Sequence, residues 1–288
     1  MRIGLGFSAS RSAYLCAFMA ICAANGLAGR MLQALEAEGW VVAGSRTFDI
    51  SAIVWLGIVC GIALAFTDRG GSEPMRGDVV VLGIAAPFVL APSSALAWVT
   101  LTAIALWTLA TSSGRLARGA AILLVVTMPM CWTRLLFNLA APYILSADAL
   151  MVATILGTVS SGNLVASSNG QTYLQIYPAC SSLGNVSLAL LGWVIAINVV
   201  RPRARRNNML WGALACCSVV AINILRLAAI GLLPEHFELL HGAVGNSVTS
   251  WLTLAAIGAV CWAGVRARPS DPVAQDLPRQ TDTGAAIR

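Results

Sequence analysis

Residues 209–233 read MLWGALACCSVVAINILRLAAIGLL, an apolar run broken by one charge, Arg226, and one amide, Asn223. A helix rises about 1.5 Å per residue, so about 20 such residues cross the ~30 Å hydrocarbon core of a bilayer. Burying a guanidinium there costs at least a few kcal/mol. The stretch therefore makes lipid the solvent of this chain, and it singles out Arg226 as a charge held for a reason.

The remaining sequence repeats the pattern. Of 288 residues, 58% are hydrophobic and 10% are charged, against roughly 25% charged in soluble domains. So few polar side chains cannot clothe a large soluble catalytic domain. Apolar runs fall at 12–29, 50–66, 79–91, 95–110, 120–141, 183–200, 209–233 and 242–265. They predict an all-α polytopic membrane protein of about eight transmembrane helices over 1–265. The third and fourth runs are short and separated only by Pro92, Ser93 and Ser94. The first, preceded by Arg2 and Arg11 and followed by small residues, also reads as a signal peptide. Pro269, Pro272 and Pro278 mark 266–288 as a disordered cytoplasmic tail.

All 18 basic residues are arginine, and the net charge is +6. They stand singly or in one cluster beside apolar runs, as topology signals do, and not as the basic face of a nucleic-acid binder. The expected partner is the lipid bilayer. With the amino terminus inside, the cytoplasmic side receives fourteen arginines, among them Arg11, Arg115, Arg118 and the cluster at 201–206; Arg30 and Arg46 fall outside. Arg134 and Arg226 remain within apolar runs.

The longest outer segment, 142–182, has its own order. Residues 147–159 predict a short interfacial helix. Apolar alternation over 163–177, centred on Asn169 and Gly170, predicts a small strand pair that delivers Cys180 to the membrane face.

Eight cysteines need sorting. Seven, Cys16, Cys22, Cys60, Cys131, Cys216, Cys217 and Cys261, sit inside apolar runs, where a cysteine packs as a small hydrophobe. No Cys-x-x-Cys pair offers a zinc site, and neither metal nor cofactor is expected. Cys180 differs: in Tyr-Pro-Ala-Cys-Ser-Ser-Leu-Gly-Asn it stands between a polar loop and the sixth run, within reach of water, of substrate and of a helix amino end. Asn223 lies three residues before Arg226 on one helical face, where its amide can orient the guanidinium or a bound peptide. Of two histidines, His236 beside Glu235 reads as a solvated loop residue, whereas His241 precedes Gly242 and Gly245, which allow a tight turn into the last run. The arginine cluster at 201–206 sets Cys180, the outer half of the seventh run and His241 on one membrane face. A thiol, a guanidinium and an imidazole there suit nucleophilic attack on a carbonyl, oxyanion stabilisation and proton transfer.

At these residues the chain resembles the exosortase/archaeosortase family of membrane cysteine transpeptidases. The family's Ala-Cys-Ser motif matches Ala179, Cys180 and Ser181, its Asn-x-x-Arg matches Asn223 and Arg226, and its His-x-x-x-Gly matches His241 and Gly245. The resemblance implies Cys180 as nucleophile, with Arg226 and His241 completing the site and Asn223, Ser181 and Gly245 supporting it. It also implies secreted substrates whose tails carry a short motif such as Pro-Glu-Pro, a transmembrane helix and basic residues, processed at the periplasmic or exterior face of a bacterial inner membrane. The chain departs from the family where Ser182, Leu183 and Gly184 follow the motif, Gly184 standing in place of a basic residue, and where Asn246 replaces an aromatic one.

Two other classes fit the hydropathy. A transporter would use Arg226 and Asn223 to bind an anionic solute, and a catalytically silent scaffold for polysaccharide assembly would need no reactive thiol. Serine proteolysis is disfavoured, because Ser247 and Ser250 lack a Gly-x-Ser-x-Gly setting.

Overall fold

The computed structural model describes residues 10–68, 73–166, 173–200 and 208–267. Arg2, Arg69, the arginine cluster at 201–206, the Asn169-Gly170 turn and the tail beyond Ala267 lie outside them. The chain is an all-α polytopic membrane protein, each apolar run forming a helix. These are α1 (Arg11–Ser45), α2 (Ala52–Phe66), α3 (Arg76–Leu90), α4 (Ser94–Thr111), α5 (Gly114–Thr127), α6 (Thr133–Leu156), α7 (Ser182–Val199), α8 (Asn208–Leu232) and, after the short α9 (Phe237–His241), α10 (Ala243–Arg266). Among the described residues six helices are long and apolar enough to cross a membrane, α5 and α6 counting as one. With 15 residues each, α2 and α3 reach about 22 Å, short of a full hydrocarbon core.

Two expectations change. The fifth run, expected over 120–141, and the interfacial helix, expected over 147–159, are parts of one 43-residue helical rod, Gly114–Leu156. Pro129 can donate no backbone hydrogen bond, and a π-helical turn at Met128–Trp132 accommodates it without ending the rod. The first run is likewise longer than its apolar part. Residues after Gly29 are mostly Ala, Leu, Met, Gln and Glu, good helix formers, so α1 continues to Ser45 with a break at Gly39, whose φ is 75°.

Close contact of small residues sets the bundle. A Cβ on Gly61 of α2 would meet Leu123 of α5 at 2.7 Å, and one on Gly119 of α5 would run into the backbone of Gly61 and Ala65. Such helices pack backbone to backbone, as membrane helices without a hydrophobic drive between them do. At the end where α1 begins, Arg11 (6% exposed) and Asp78 (1% exposed) form a bidentate pair at 2.7 and 3.0 Å. Trp107 Nε1 donates to the same carboxylate, and Arg11 also donates to Thr111 and Ser112. This network ties α1, α3 and α4. Arg118 at the start of α5 donates to the carbonyl of Asn198 at the end of α7. Arg11 and Arg118 thus mark one end of the bundle, and the start of α7, 18 residues away, lies about 27 Å from it.

A second core forms at that far end. Val165 and Ile176, both fully buried, pack with Leu145, Ala149 and Val152 of α6 and with Ile224 and Leu227 of α8. The expected strand pair is present: β2 (Leu164–Ala166) and β3 (Tyr173–Gln175) are antiparallel with Leu164 opposite Gln175 and Ala166 opposite Tyr173, a register symmetric about 169–170. A third strand, β1 (Ser160–Ser161), pairs with β2. At the carboxyl end of α10, Arg266 lies 4.0 Å over the Trp262 ring, so the residue expected to open the tail still belongs to the helix.

Candidate active site

The chain reaches Cys180 through a single 3-10 turn, Pro178–Cys180, started by proline. The Cys180 amide donates to the Tyr177 carbonyl at 2.9 Å. Ser181 then caps α7, its hydroxyl accepting from the Leu183 amide at 3.3 Å. Asp148, a 3%-exposed residue of α6, accepts from the Ser182 amide at 3.1 Å. A hydroxyl and a carboxylate therefore satisfy the first free amides of α7, and the carboxylate suits the positive end of the helix. The thiol stands just outside that end, half-buried against the second core.

Asn223 supports the cysteine and not the arginine. Its amide, 3% exposed, donates to the Cys180 carbonyl at 2.8 Å and to Ser182 Oγ at 3.1 Å. The sequence leaves open whether it orients Arg226 or a peptide; the structure ties it to the loop that carries the thiol.

Arg226 reaches across to α9 and α10. Its Nε and Nη2 donate to the Leu240 carbonyl at 3.3 and 3.2 Å, and Nη2 also donates to Asn246 Oδ1 at 2.6 Å. Asn246 in turn donates to the His241 carbonyl at 3.1 Å. Asn246 is thus the acceptor that holds the guanidinium beside the histidine. All these acceptors are neutral, and among the described residues no carboxylate pairs with Arg226.

His241 places Nε2 at 3.9 Å from Cys180 Sγ. Its ring stacks on Phe237, with centroids 4.9 Å apart and planes 10° from parallel, one turn earlier on α9. Gly242 and Gly245 are needed for closeness: a Cβ on Gly242 would strike the Glu238 carbonyl, and one on Gly245 the carbonyls of Leu239 and Leu240. Cys180, Ser181, Asn223, Arg226, His241 and Gly245 therefore converge, while His236 lies exposed in the preceding turn, apart from them.

A cavity of about 720 Å³ opens beside them between the starts of α6 and α7, the outer part of α8 and the start of α10. Ala179, Ser181, Asn223 and Arg226 line it, whereas Cys180 and His241 are not part of its lining. Gly184 borders it with open space where a side chain would project. The sequence reading missed three participants: Asp148, Asn246 as a bonding partner, and Arg134, which lines the cavity from α6. Only the last carried a signal, as the second arginine inside an apolar run.

Comparison of the chain with family models, with curated proteins and with solved structures gave no match.

Proposed function

We propose that the chain is a membrane-embedded cysteine endopeptidase and transpeptidase of the exosortase/archaeosortase type. In this reading it cleaves carboxy-terminal sorting signals of secreted proteins at the outer face of a bacterial inner membrane and passes them to an acceptor. The observation that carries the reading is the contact between Cys180 Sγ and His241 Nε2 at 3.9 Å, made by residues 61 positions apart. An anion transporter or a scaffold has no need of it.

The chemistry follows from the side chains present. His241 takes the thiol proton as Sγ attacks the carbonyl carbon of the scissile bond. The guanidinium of Arg226, whose described hydrogen bonds all leave from Nε or Nη2, steadies the oxyanion. The carbon–nitrogen bond then breaks as the imidazolium returns its proton to the leaving amine, and an acyl thioester to Cys180 remains. A hydroxyl or amine of the acceptor gives its proton to His241 and attacks the thioester, and the departing thiolate takes that proton back. Water in the same place gives hydrolysis. The outward orientation rests on arginine placement: Arg11 and Arg118 gather at the end of the bundle opposite Cys180.

A secreted reporter with a motif, a transmembrane helix and a basic tail tests the proposal. Cys180→Ala and Arg226→Ala each abolish its processing while the protein still inserts. Normal processing by both variants refutes the reading and restores the transporter and scaffold alternatives.

A further inference from the structure

The cavity beside Cys180 is lined by two arginines and by no acidic residue. Arg226 comes from α8. Arg134 comes from the first turn of α6, with Asn138 one turn further on the same face. Among the described residues Arg134 has neither an ion-pair nor a hydrogen-bond partner, and Arg30 of α1 lies close enough to add like-charge repulsion. Arg134 is exposed, and with Arg226 lining the same cavity and Arg30 nearby it gives this wall a positive field that favours an anion. Thr253 of α10, 7% exposed, lines the cavity and has a buried hydroxyl without a hydrogen-bond partner. The volume lies within the ~300–1,000 Å³ typical of ligand pockets.

We infer that Arg134 and Asn138 form an anion subsite on the α6 wall of this cavity, which takes a carboxylate of the peptide bound across Cys180. The inference rests on the peptide-processing reading above. A peptide is favoured over a lipid phosphate because Ala179 and Ser181, the neighbours of the thiol, line the same cavity. Whatever fills the cavity therefore lies against the residues on either side of Cys180. A planar guanidinium suits a carboxylate through two parallel hydrogen bonds, and the Asn138 amide adds a third donor. Arg134 is thus a specificity-determining residue, distinct from the oxyanion role given to Arg226.

The test reads the local field and needs no turnover. Full-length protein in phosphatidylcholine nanodiscs is labelled with anionic sulfonatoethyl and cationic trimethylammonioethyl methanethiosulfonate, and modification of Cys180 is followed by mass spectrometry. The ratio of the two rates cancels changes in thiol reactivity. Arg134→Gln lowers the anionic-to-cationic ratio by about fivefold, as expected for one unit charge near the thiol, and Arg134→Lys restores it. N-acetylglutamate methylamide lowers the wild-type ratio toward the Arg134→Gln value, and its glutamine counterpart does not. An unchanged ratio in Arg134→Gln, or equal effects of the two amides, overturns the subsite. If phosphatidylglycerol in the nanodisc collapses the wild-type ratio and the glutamate amide then has no effect, a lipid headgroup owns the subsite and the peptide assignment falls. A ratio that behaves as stated, with no reporter processed, retains the subsite and refutes the peptidase reading alone.

Discussion

Asn223→Ala isolates what holds the thiol in place. The Asn223 amide spends both hydrogens on the Cys180 loop, at 2.8 Å to the Cys180 carbonyl and 3.1 Å to Ser182 Oγ, from a site only 3% exposed. Ser182 keeps its amide bond to Asp148, and its hydroxyl can rotate, so the unrecovered loss falls on the Cys180 carbonyl. A buried acceptor left without its donor costs about 1–3 kcal/mol. Taken at about 2 kcal/mol, and charged to the aligned loop against a detached one, the loss slows reporter processing by about 30-fold. Alkylation of Cys180 by a small neutral maleimide, followed by mass spectrometry, should accelerate, because a detached thiol is more accessible. Thermal unfolding should move little, since the main helical core does not include this bond. Normal processing together with unchanged alkylation would refute the claim that Asn223 positions the cysteine.

Three further outcomes follow from contacts elsewhere. Gly245→Ala forces a Cβ into the carbonyls of Leu239 and Leu240, the latter an acceptor of Arg226, and lowers reporter processing at least about tenfold; Gly258→Ala on the same helix meets nothing within 4 Å and leaves processing intact. Phe237→Ala removes a ring stack worth about 0.5–1.5 kcal/mol, so processing falls about 2- to 10-fold, and equal rates would show that the stack does not orient His241. Asp78→Ala strands the buried guanidinium of Arg11 at a cost of about 3–5 kcal/mol. Its melting temperature in detergent drops while Cys180 alkylation in the folded fraction stays the same.

The helices were legible because lipid imposes one requirement, an unbroken apolar length, and every run that meets or approaches it became a helix. Their ends were less so. Hydropathy stops at Gly29, but the α1 backbone continues through residues whose propensity is helical and whose side chains are mixed. Neither Pro129 nor Pro142 ends a helix: a π turn absorbs the first and the second lies inside α6. For the site, Cys180, Arg226 and His241 could be placed on one face from charge bias and chemistry alone. Two of their supports could not. Asn246 and Asp148 act through contacts made by packing, Asn246 across 20 positions to Arg226 and Asp148 across 34 to Ser182. An asparagine or aspartate bonded at such a separation looks the same in sequence as a solvated one.

The fixed length of α7 has a metric consequence. The 18 residues of α7 run from the capped start beside Cys180 to the end at which Arg118 holds the Asn198 carbonyl, a rod of about 27 Å that nearly equals the hydrocarbon thickness. On the proposed reading α7 is a ruler as well as a support: it sets the depth of the sulfur relative to the opposite surface. A substrate anchored by its own helix and basic end would present its scissile bond at a height counted in residues. Adding one residue to α7 would then raise the thiol by about 1.5 Å and swing it by about 100°, so the spacing of a cleavable tail would be calibrated against this helix.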